Sequence, residues 1–305
     1  MKFTLAFAST DQVQPTQTVL LTGGTGFLGS YLAQALLNEG YKLVILKRST
    51  SDTWRIANML SEVIIYNIDN EPLIKAFEDQ HIDVVIHTAC HFGRNGDPTH
   101  EIVKANLLLG IKLLDAAIFF KSRTFINTDT FYPKKLNSYS LSKKQFVEWL
   151  HMRFEKIQII NMKLQHVYGP LDSNHKFIPW LFCQFEKRVD EIKLTKGEQL
   201  RDFIYIEDVV SAYMIVLKKT QQNPAFNEFC VGTGKLRTVR SMVEMVKLAF
   251  LIKAPTLKTK LNFGALPYSD QEIMKTDVNN RNLLALGWQP EVELFKGIKK
   301  ILEKN

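Results

Sequence analysis

The sequence predicts an α/β fold, a doubly wound parallel sheet followed by a smaller C-terminal region. Short apolar segments rich in β-branched residues alternate with amphipathic helical patterns through the first ~165 residues. A glycine-rich turn joins the first predicted strand to the first predicted helix, and the regular alternation ends after residue 168. Such alternation is typical of a parallel sheet that has helices on both faces.

The predicted elements follow in order along the chain. The first strand is the apolar run at residues 19–21. Further strands are predicted at residues 41–46, 63–66, 83–87, 124–127 and 157–164. Helices are predicted near residues 28–38, 71–79, 101–120, 139–154, 238–251 and 292–303, the fifth with Thr238 as its N-cap.

The turn after the first strand has the spacing of a phosphate-binding loop. Gly23 permits the tight turn, Gly26 lets a phosphate approach the backbone, and Gly29 lets the helix pack on the strand. The free N–H groups and the dipole of the helix N-terminus attract an anion. The turn therefore predicts a site for the pyrophosphate of a dinucleotide.

These patterns divide the chain into three parts. Residues 1–17 are predicted to form a flexible extension, because a short apolar start is followed by a polar run. Residues 18–168 form the predicted dinucleotide-binding domain, to which later segments return. Residues 169–305 form mainly a substrate-binding region, which is expected to close a cleft over the open edge of the sheet.

Composition limits the class of protein. The three cysteines, Cys90, Cys183 and Cys230, lie far apart, which predicts free thiols, a cytoplasmic location and no bound metal. The formal charge of +8 fits either a solvated basic surface or attraction for an anionic ligand such as a nucleotide sugar. No nucleic-acid partner is expected without a dense Lys/Arg tract. No membrane partner is expected without an apolar run of ~18 residues.

A second motif carries the predicted chemistry. Tyr139 and Lys143 are four residues apart in a predicted helix and therefore share one face. A nearby ammonium lowers the pKa of a phenol and makes it a usable acid or base. Thr128 and Thr130 end the preceding strand, and either hydroxyl is expected beside the Tyr139 hydroxyl. A half-buried tyrosine beside a solvated lysine would give the same spacing.

Together these motifs resemble those of the extended short-chain dehydrogenase/reductase family, the NAD-dependent epimerase/dehydratase group, over residues 18–300. The matching positions are 23–29, 87–90, 106, 139–143, 167–170, 201–208 and 286–288. The resemblance implies a Rossmann fold, an NAD(P) cofactor, a nucleotide-diphosphate sugar substrate and a homodimer formed through a four-helix bundle. The helices of that bundle carry the apolar residues Leu107, Leu108, Ile111, Phe146, Trp149 and Leu150.

The resemblance also implies roles for individual residues. Tyr139 is the implied acid/base, Lys143 holds the nicotinamide ribose, and Thr128 is the implied catalytic hydroxyl, with Thr130 as the alternative. The expected cofactor-binding residues are Gly23, Thr25, Gly26, Phe27, Leu28, Gly29, Lys47, Arg48, Ile68, Asp69, Thr88, Ala89, Cys90, Asn106, Tyr139, Lys143 and His166. The expected substrate-binding residues are His91, Arg94, Thr128, His166, Phe177 and Arg201, the last supported by Asp202.

Within the family, the chain is most similar to the CDP-paratose and CDP-abequose synthase branch, whose enzymes reduce a nucleotide-linked 4-keto-6-deoxy sugar. His166 stands where the family commonly has Asn, and the stretch from Thr128 to Tyr139 is short. The segments at residues 89–94, 163–166 and 194–197 also resemble that branch.

The end of the second predicted strand bears on the choice of cofactor. An acidic residue at this place commonly holds the ribose hydroxyls of NAD. Here Lys47 and Arg48 stand instead, and both would attract a 2′-phosphate. The pair favours NADP(H), whereas NAD(H) would fit if the two are ordinary surface charges. Asp69, after the third strand, is expected at the adenine edge.

Three functions stay open at the level of sequence. The first is NADPH-dependent reduction at C4 of a nucleotide-diphosphate-4-keto-6-deoxyhexose, expected to serve polysaccharide or O-antigen biosynthesis. The second is an NAD-dependent nucleotide-sugar 4-epimerase, against which Lys47 and Arg48 argue. The third is a dinucleotide-binding sensor or scaffold without catalysis, against which Tyr139 and Lys143 argue.

Overall fold

The computed structural model describes residues 17–94, 96–220 and 223–304, so the predicted extension lies outside it except for Gln17. The strands of the central sheet are β1 (Thr18–Thr22), β2 (Lys42–Lys47), β3 (Ile64–Asn67), β4 (Val84–His87), β5 (Thr124–Thr130), β6 (Gln158–Leu164) and β11 (Phe226–Val231). Their spatial order is β3-β2-β1-β4-β5-β6-β11, and all neighbours pair in parallel. The predicted doubly wound sheet is confirmed.

Ten α-helices are present in the part of the chain that the structure describes. They are α1 (Phe27–Asn38), α2 (Lys75–Asp79), α3 (Thr99–Val103), α4 (Leu109–Phe119), α5 (Ser138–His151), α6 (Phe177–Glu186), α7 (Ile206–Lys219), α8 (Val239–Lys253), α9 (Arg281–Ala285) and α10 (Leu294–Lys304). A 3₁₀ helix spans Trp54–Glu62, and a π-helical turn at Lys104–Leu108 joins α3 to α4. No helix in the described ranges is both long and apolar enough to cross a bilayer.

Two cores form on the two faces of the sheet, because successive strand residues point in opposite directions. Leu21 of β1 packs in one core with residues of α1 and α7, including Leu32 and Val209. The neighbouring Leu20 packs in the other core with Leu113 of α4 and residues of α5. The sheet order reverses between β1 and β4, so the carboxyl ends of these strands border a crevice for a ligand.

The C-terminal region builds its own core from short strands and three helices. The remaining strands are β7 (His166–Tyr168), β8 (Glu191–Leu194), β9 (Leu200–Arg201), β10 (Phe203–Tyr205), β12 (Arg237–Thr238) and β13 (Lys260–Phe263). They pair as β7 with β10, β8 with β13 and β9 with β12. Phe182 of α6, Val246 of α8 and Ile298 of α10 are buried together beside them. Strand β11 and helix α7 return to the central sheet.

Most predicted elements of the first 165 residues are observed with small changes in their ends. Strand β5 continues to Thr130 rather than ending at residue 127. The predicted helix at residues 101–120 is three segments, because the π-helical turn interrupts it. Helix α2 begins only at Lys75, since residues 71–72 are irregular and residues 73–74 form a turn. Thr238 caps α8 as predicted, by accepting a hydrogen bond from the Ser241 N–H at 3.1 Å.

The predicted apolar surface of the two long helices needs a correction. Phe146 and Leu150 are fully buried and pack against the sheet, with the ring of Phe146 against the backbone of Gly110. Leu108 and Trp149 are 47% and 46% exposed and form the solvent side of this layer. The sequence pattern assigned both sets to one surface, although residues on opposite sides of a helix cannot share it.

Candidate active site

One continuous cavity of about 2000 Å³ runs through the protein. Residues of the glycine turn line one end of it, Tyr139 and Thr130 line the middle, and Arg201 and Glu272 line the other end. A pocket for one small ligand commonly has ~300–1,000 Å³. The cavity is therefore large enough for two ligands placed end to end.

The glycine turn has the geometry expected of a phosphate-binding loop. Gly23 has a φ of +70°, and the Gly26 N–H donates to the Gly23 carbonyl at 2.9 Å to close the turn. A Cβ atom on Gly29 would lie 2.0 Å from the same carbonyl oxygen, so only glycine fits there. Helix α1 begins without a side-chain cap, which leaves its first N–H groups for a ligand. Thr25, Phe27 and Leu28 also line the cavity.

Two cations stand at the end of β2, beside the glycine turn. Lys47, Arg48, Ile68 and Asp69 all line the cavity. Lys47 Nζ donates to the Arg48 carbonyl at 3.2 Å, and neither cation has a carboxylate partner within the described residues. The Asp69 carboxylate accepts the Ser49 N–H at 2.7 Å and so fixes the loop that carries the cations.

The segment after β4 forms the wall between the glycine turn and Tyr139. Thr88, Ala89 and Cys90 line the cavity, as expected. Asn106 does not line it. Its Nδ2 donates to the His91 carbonyl at 2.8 Å and to Ser142 Oγ at 3.0 Å, and its Oδ1 accepts the His91 N–H at 2.6 Å. The expected cofactor contact of Asn106 is thus replaced by a buried contact that holds the loop after β4 to α5.

Tyr139 lies on the cavity wall in the first turn of α5. Asn137 caps this helix, and its Oδ1 accepts the Ser140 N–H at 2.9 Å. The Thr130 side chain is close enough to the Tyr139 phenol to lower its pKa. Lys143, one turn further, is only 1% exposed and lies behind the wall. The helical spacing therefore brings Tyr139 and Lys143 to one side of α5, but only Tyr139 lines the cavity.

The predicted lowering of the Tyr139 pKa is wrong. Burial raises the pKa of Tyr139 well above 10, and the nearby Cys90 and Asp129 raise it further, whereas the neighbouring Thr130 side chain lowers it. Burial also lowers the pKa of the Lys143 ammonium. Both shifts have one cause, because a site away from water disfavours the charged form of either group.

The structure distinguishes the two candidate hydroxyls of β5. Thr128 Oγ1 lies 2.7 Å from the Tyr213 hydroxyl of α7 and shares a hydrogen bond with it. Thr130, two residues on, is the threonine that influences the pKa of Tyr139. Both threonines line the cavity, but the geometry pairs Thr130 rather than Thr128 with the phenol.

A buried ion pair next to this site is absent from the sequence-based set of residues. Lys144 Nζ donates to Asp129 Oδ2 at 2.5 Å and to the Thr130 carbonyl at 2.5 Å. Asn161 of β6 donates to the same Asp129 oxygen at 3.3 Å. These bonds clamp the end of β5 to α5 and fix Thr130 relative to Tyr139. The signal in the sequence is only that Asp129 lies between the two threonines and Lys144 follows Lys143.

The far end of the cavity contains a second ion pair. Arg201 is 7% exposed, donates from Nη1 to the Leu200 carbonyl at 2.9 Å and pairs with Glu272, a residue that the sequence did not suggest. The expected support of Arg201 by Asp202 is not present. Asp202 instead accepts hydrogen bonds from Thr233 Oγ1 at 2.5 Å and from the Gly234 N–H at 2.9 Å.

His166 belongs to the same end of the cavity. Its ring packs against Phe131 and Phe203, with centroids 4.5 and 5.9 Å away, and its Nδ1 has no hydrogen-bond partner among the described residues. Burial and the nearby Arg201 lower the pKa of His166 to about 3, so the ring is neutral at neutral pH. The structure thus places His166 with the expected substrate-binding residues, beside Arg201.

The remaining expected substrate-binding residues lie around the middle of the cavity. His91 Nδ1 accepts the Gly93 N–H at 3.0 Å. Arg94 Nη1 donates to the His175 carbonyl at 3.2 Å. Phe177, at the start of α6, is 40% exposed and stacks with Trp180 at a centroid distance of 5.8 Å. All of these side chains line the cavity.

Comparison with known sequences gives a consistent set of relatives. Residues 19–232 match the sequence profile of the NAD dependent epimerase/dehydratase family. A CDP-abequose synthase from Salmonella typhimurium is 34% identical over 298 residues, which cover 94% of this chain and 97% of that protein. A CDP-abequose synthase from Salmonella muenchen is 36% identical over 293 residues, which cover 93% of this chain and 96% of that protein.

Comparison with solved structures gives the same fold. UDP-glucose 4-epimerase from Thermotoga maritima, solved with UDP-glucose, has a TM-score of 0.81 at 21% identity, covering 94% of this chain and 98% of that chain. UDP-glucuronic acid 4-epimerase from Bacillus cereus, solved with UDP-glucuronic acid and NAD, has a TM-score of 0.79 at 25% identity, covering 95% of this chain and 100% of that chain.

Proposed function

The chain belongs to the NAD dependent epimerase/dehydratase family, and on that premise we propose that it is an NADPH-dependent reductase of a nucleotide-linked 4-keto-6-deoxyhexose. The identity to the two CDP-abequose synthases over nearly the full length of both chains supports a substrate of the CDP type. We further propose a cytoplasmic location and a place in polysaccharide or O-antigen biosynthesis.

One observation carries the proposal. Tyr139 and Thr130 both line the middle of a cavity that has a phosphate-binding turn at one end and a buried arginine at the other. An acid at this point can reach a sugar that lies between the two ends. A nucleotide-binding protein without catalysis would have no need of an ordered phenol at that place.

The residues present fit a dinucleotide. A Cβ atom on Gly29 would collide with the turn, the uncapped start of α1 offers its N–H groups, and Lys47 and Arg48 stand beside them. Residues 23–29 would hold the pyrophosphate, and the segment from Thr88 to Cys90 would face the nicotinamide. When bound, NADPH supplies a hydride for C4 of the keto sugar.

The chain's own residues handle the proton. As the C4 carbonyl is reduced, negative charge develops on its oxygen, and Tyr139 transfers its hydroxyl proton to that oxygen. The raised pKa keeps Tyr139 protonated at neutral pH, so the acid is in the required form. Thr130 donates a hydrogen bond to the same oxygen and stabilises the developing charge. Lys143 is buried behind Tyr139 and does not line the cavity, so it would hold the nicotinamide ribose only if its ammonium turned into the cavity.

The test follows NADPH oxidation with CDP-4-keto-6-deoxyglucose as the substrate. The wild-type enzyme is expected to oxidise NADPH in proportion to the substrate added. Tyr139→Phe should lower kcat by ~10²-fold or more, because the proton donor is lost while the ring and its packing stay. Unchanged turnover in Tyr139→Phe would remove the proposed mechanism. Interconversion of CDP-sugars at C4 without net oxidation of NADPH would point to a 4-epimerase instead.

The preference for NADPH rests on the two cations at the end of β2. A 2′-phosphate would give Lys47 and Arg48 the anionic partner that they lack among the described residues. Arg48→Ser should therefore weaken NADPH binding and leave NADH binding nearly unchanged, which titration of both dinucleotides would measure. An equal loss for both dinucleotides would contradict the preference.

The homodimer is a further part of the proposal. Leu108 and Trp149 expose apolar surface on neighbouring helices, and Leu107 and Ile111 are partly exposed on the same layer. A second copy of the chain packed on this face would complete a bundle of four helices.

A further inference from the structure

An aromatic residue in the segment at residues 89–94, to which the sequence assigned no individual role, lies against Tyr139. The Phe92 ring stacks on the Tyr139 ring, with centroids 4.8 Å apart and an angle of 30° between the planes. Phe92 is nevertheless 43% exposed and lines the middle of the cavity.

Hydrogen bonds and close packing fix the backbone of the loop that carries Phe92. Asn106 is fully buried and bonds both the N–H and the carbonyl of His91, the residue before Phe92. Gly93, the residue after it, donates its N–H to His91 Nδ1 at 3.0 Å. Gly93 has a φ of +66°, and a Cβ atom there would lie 2.3 Å from Ile102 Cδ1. The backbone on both sides of Phe92 is therefore set before any ligand binds.

Two cationic side chains that line the cavity contact the Phe92 ring. The Arg94 guanidinium lies 5.0 Å from the ring centroid and Lys176 Nζ lies 5.9 Å from it, both within the range of a cation–π contact. Arg94 also donates to the His175 carbonyl, so it joins this loop to the segment before α6. These contacts restrict the rotation of the Phe92 ring, in addition to the bonds that fix the backbone of the loop.

We propose that Phe92 is a positioning residue for Tyr139, an inference that rests on the function proposed above. Tyr139 stands in the first turn of α5 with its ring at the cavity wall, and it is not among the residues of the three hydrophobic cores. The flat contact with Phe92 holds the phenol ring in the plane that directs its hydroxyl to Thr130 and to the C4 oxygen. It also excludes water from one face of the phenol.

Phe92→Leu tests the proposal, because leucine keeps the apolar character but cannot stack. We expect kcat to fall about 10- to 100-fold with KM changed less than about two-fold, since a misdirected donor slows the chemistry without weakening binding. Phe92→Tyr keeps the ring and should restore most of kcat. Phe92→Met replaces Phe92→Leu in the test if the latter fails to fold.

The pH profile separates positioning from a structural effect. Tyr139 is faced by Cys90, Asp129, Tyr132 and Thr130, and none of these changes in the variant. Loss of the ring admits water to the phenol, so the alkaline limb of kcat/KM should move to lower pH in Phe92→Leu. Phe154→Leu, at an aromatic residue of similar exposure (37%) outside the cavity, is the matched control and should leave kcat and the profile unchanged.

Three results would overturn the inference: an unchanged kcat in Phe92→Leu, a raised KM with normal kcat, or a Phe92→Tyr variant as slow as Phe92→Leu. The second result would assign Phe92 to substrate binding. The Tyr139→Phe variant distinguishes a failure of this inference from a failure of the proposed function. If Tyr139→Phe is inactive while Phe92→Leu is normal, only the role of Phe92 fails, and if Tyr139→Phe is active, the proposed function fails first.

Discussion

At the scale of single residues, the roles of Thr128 and Thr130 depend on partners that are distant in sequence. Both threonines lie in strand β5, which precedes Tyr139 in the chain. The sequence alone therefore could not decide which of them supplies the catalytic hydroxyl. Tyr213, 85 residues after Thr128, distinguishes the two threonines, because its hydroxyl shares a hydrogen bond with Thr128 Oγ1. The same limit applies to the Tyr139 pKa. Helical spacing predicted its neighbour Lys143, but not the burial that outweighs any effect of the ammonium.

We expect Thr130→Val to lower kcat on the order of 10²-fold, because the hydrogen bond to the developing charge is lost. Thr128→Val, the matched control on the same strand, should have a much smaller effect on kcat and should lower the melting temperature, because the buried Tyr213 hydroxyl loses its partner. Steady-state kinetics and thermal unfolding of both variants check this. A larger loss of kcat in Thr128→Val would return the catalytic role to Thr128.

At the scale of elements, the strands, helices and turns that could be predicted are those with a strong local sequence pattern. The glycine turn and the strands of the first half were readable because each is bounded by turns and has a clear period. The strands β9, β10 and β12 have only two or three residues and show no period, so the sequence could not reveal them. Glu272 was missed for the same reason, since it lies in an irregular segment.

The glycine turn allows a direct test at this scale. Gly29→Ala should lower the melting temperature without any ligand, because its Cβ would lie 2.0 Å from the Gly23 carbonyl oxygen, where backbone must move. The added methyl of Gly26→Ala would lie 3.2 Å from the same atom, so this variant should keep more of its stability. Thermal unfolding of both variants compares them, and equal melting temperatures would contradict the proposed packing of α1 on the turn.

At the scale of the whole molecule, charge and exposed apolar surface decide how the protein responds to its surroundings. Two histidines, the fully buried His87 and the partly exposed His166, are held neutral, with removal of the rings from water lowering the pKa of each to about 3. An unfolded histidine has a pKa near ~6.5. Between these values the unfolded chain binds more protons than the folded one, so the free energy of unfolding falls as the pH falls below about 6.5.

We therefore expect the melting temperature to decrease from pH 7 to pH 5, and His87→Gln to reduce that decrease. His100→Gln is the control, because the His100 side chain is 76% exposed and the substitution leaves the buried part of the protein unchanged. Thermal unfolding at several pH values measures the difference. A decrease of the same size in wild type and His87→Gln would show that His87 does not contribute.

The proposed dimer is the other prediction at this scale. Trp149→Glu places a charge on the apolar face of α5 and should convert a dimer into monomers of 35.1 kDa. Leu248→Glu, at a residue of α8 that is 51% exposed, serves as the control and should leave the mass unchanged. Light scattering gives the mass directly. A wild-type protein that already has the monomer mass would contradict the dimer.

The position of β11 has a consequence for biosynthesis. This last strand of the central sheet is Phe226–Val231, and its Glu228 accepts a hydrogen bond from Asn161 of β6 at 2.8 Å. Until residues 226–231 have been synthesised, β6 has no neighbouring strand on one side and forms an exposed edge of the sheet. Exposed edges of this kind promote aggregation. A nascent chain stopped before residue 226 should therefore depend on chaperones to stay dispersed, and one released after residue 231 should depend on them less.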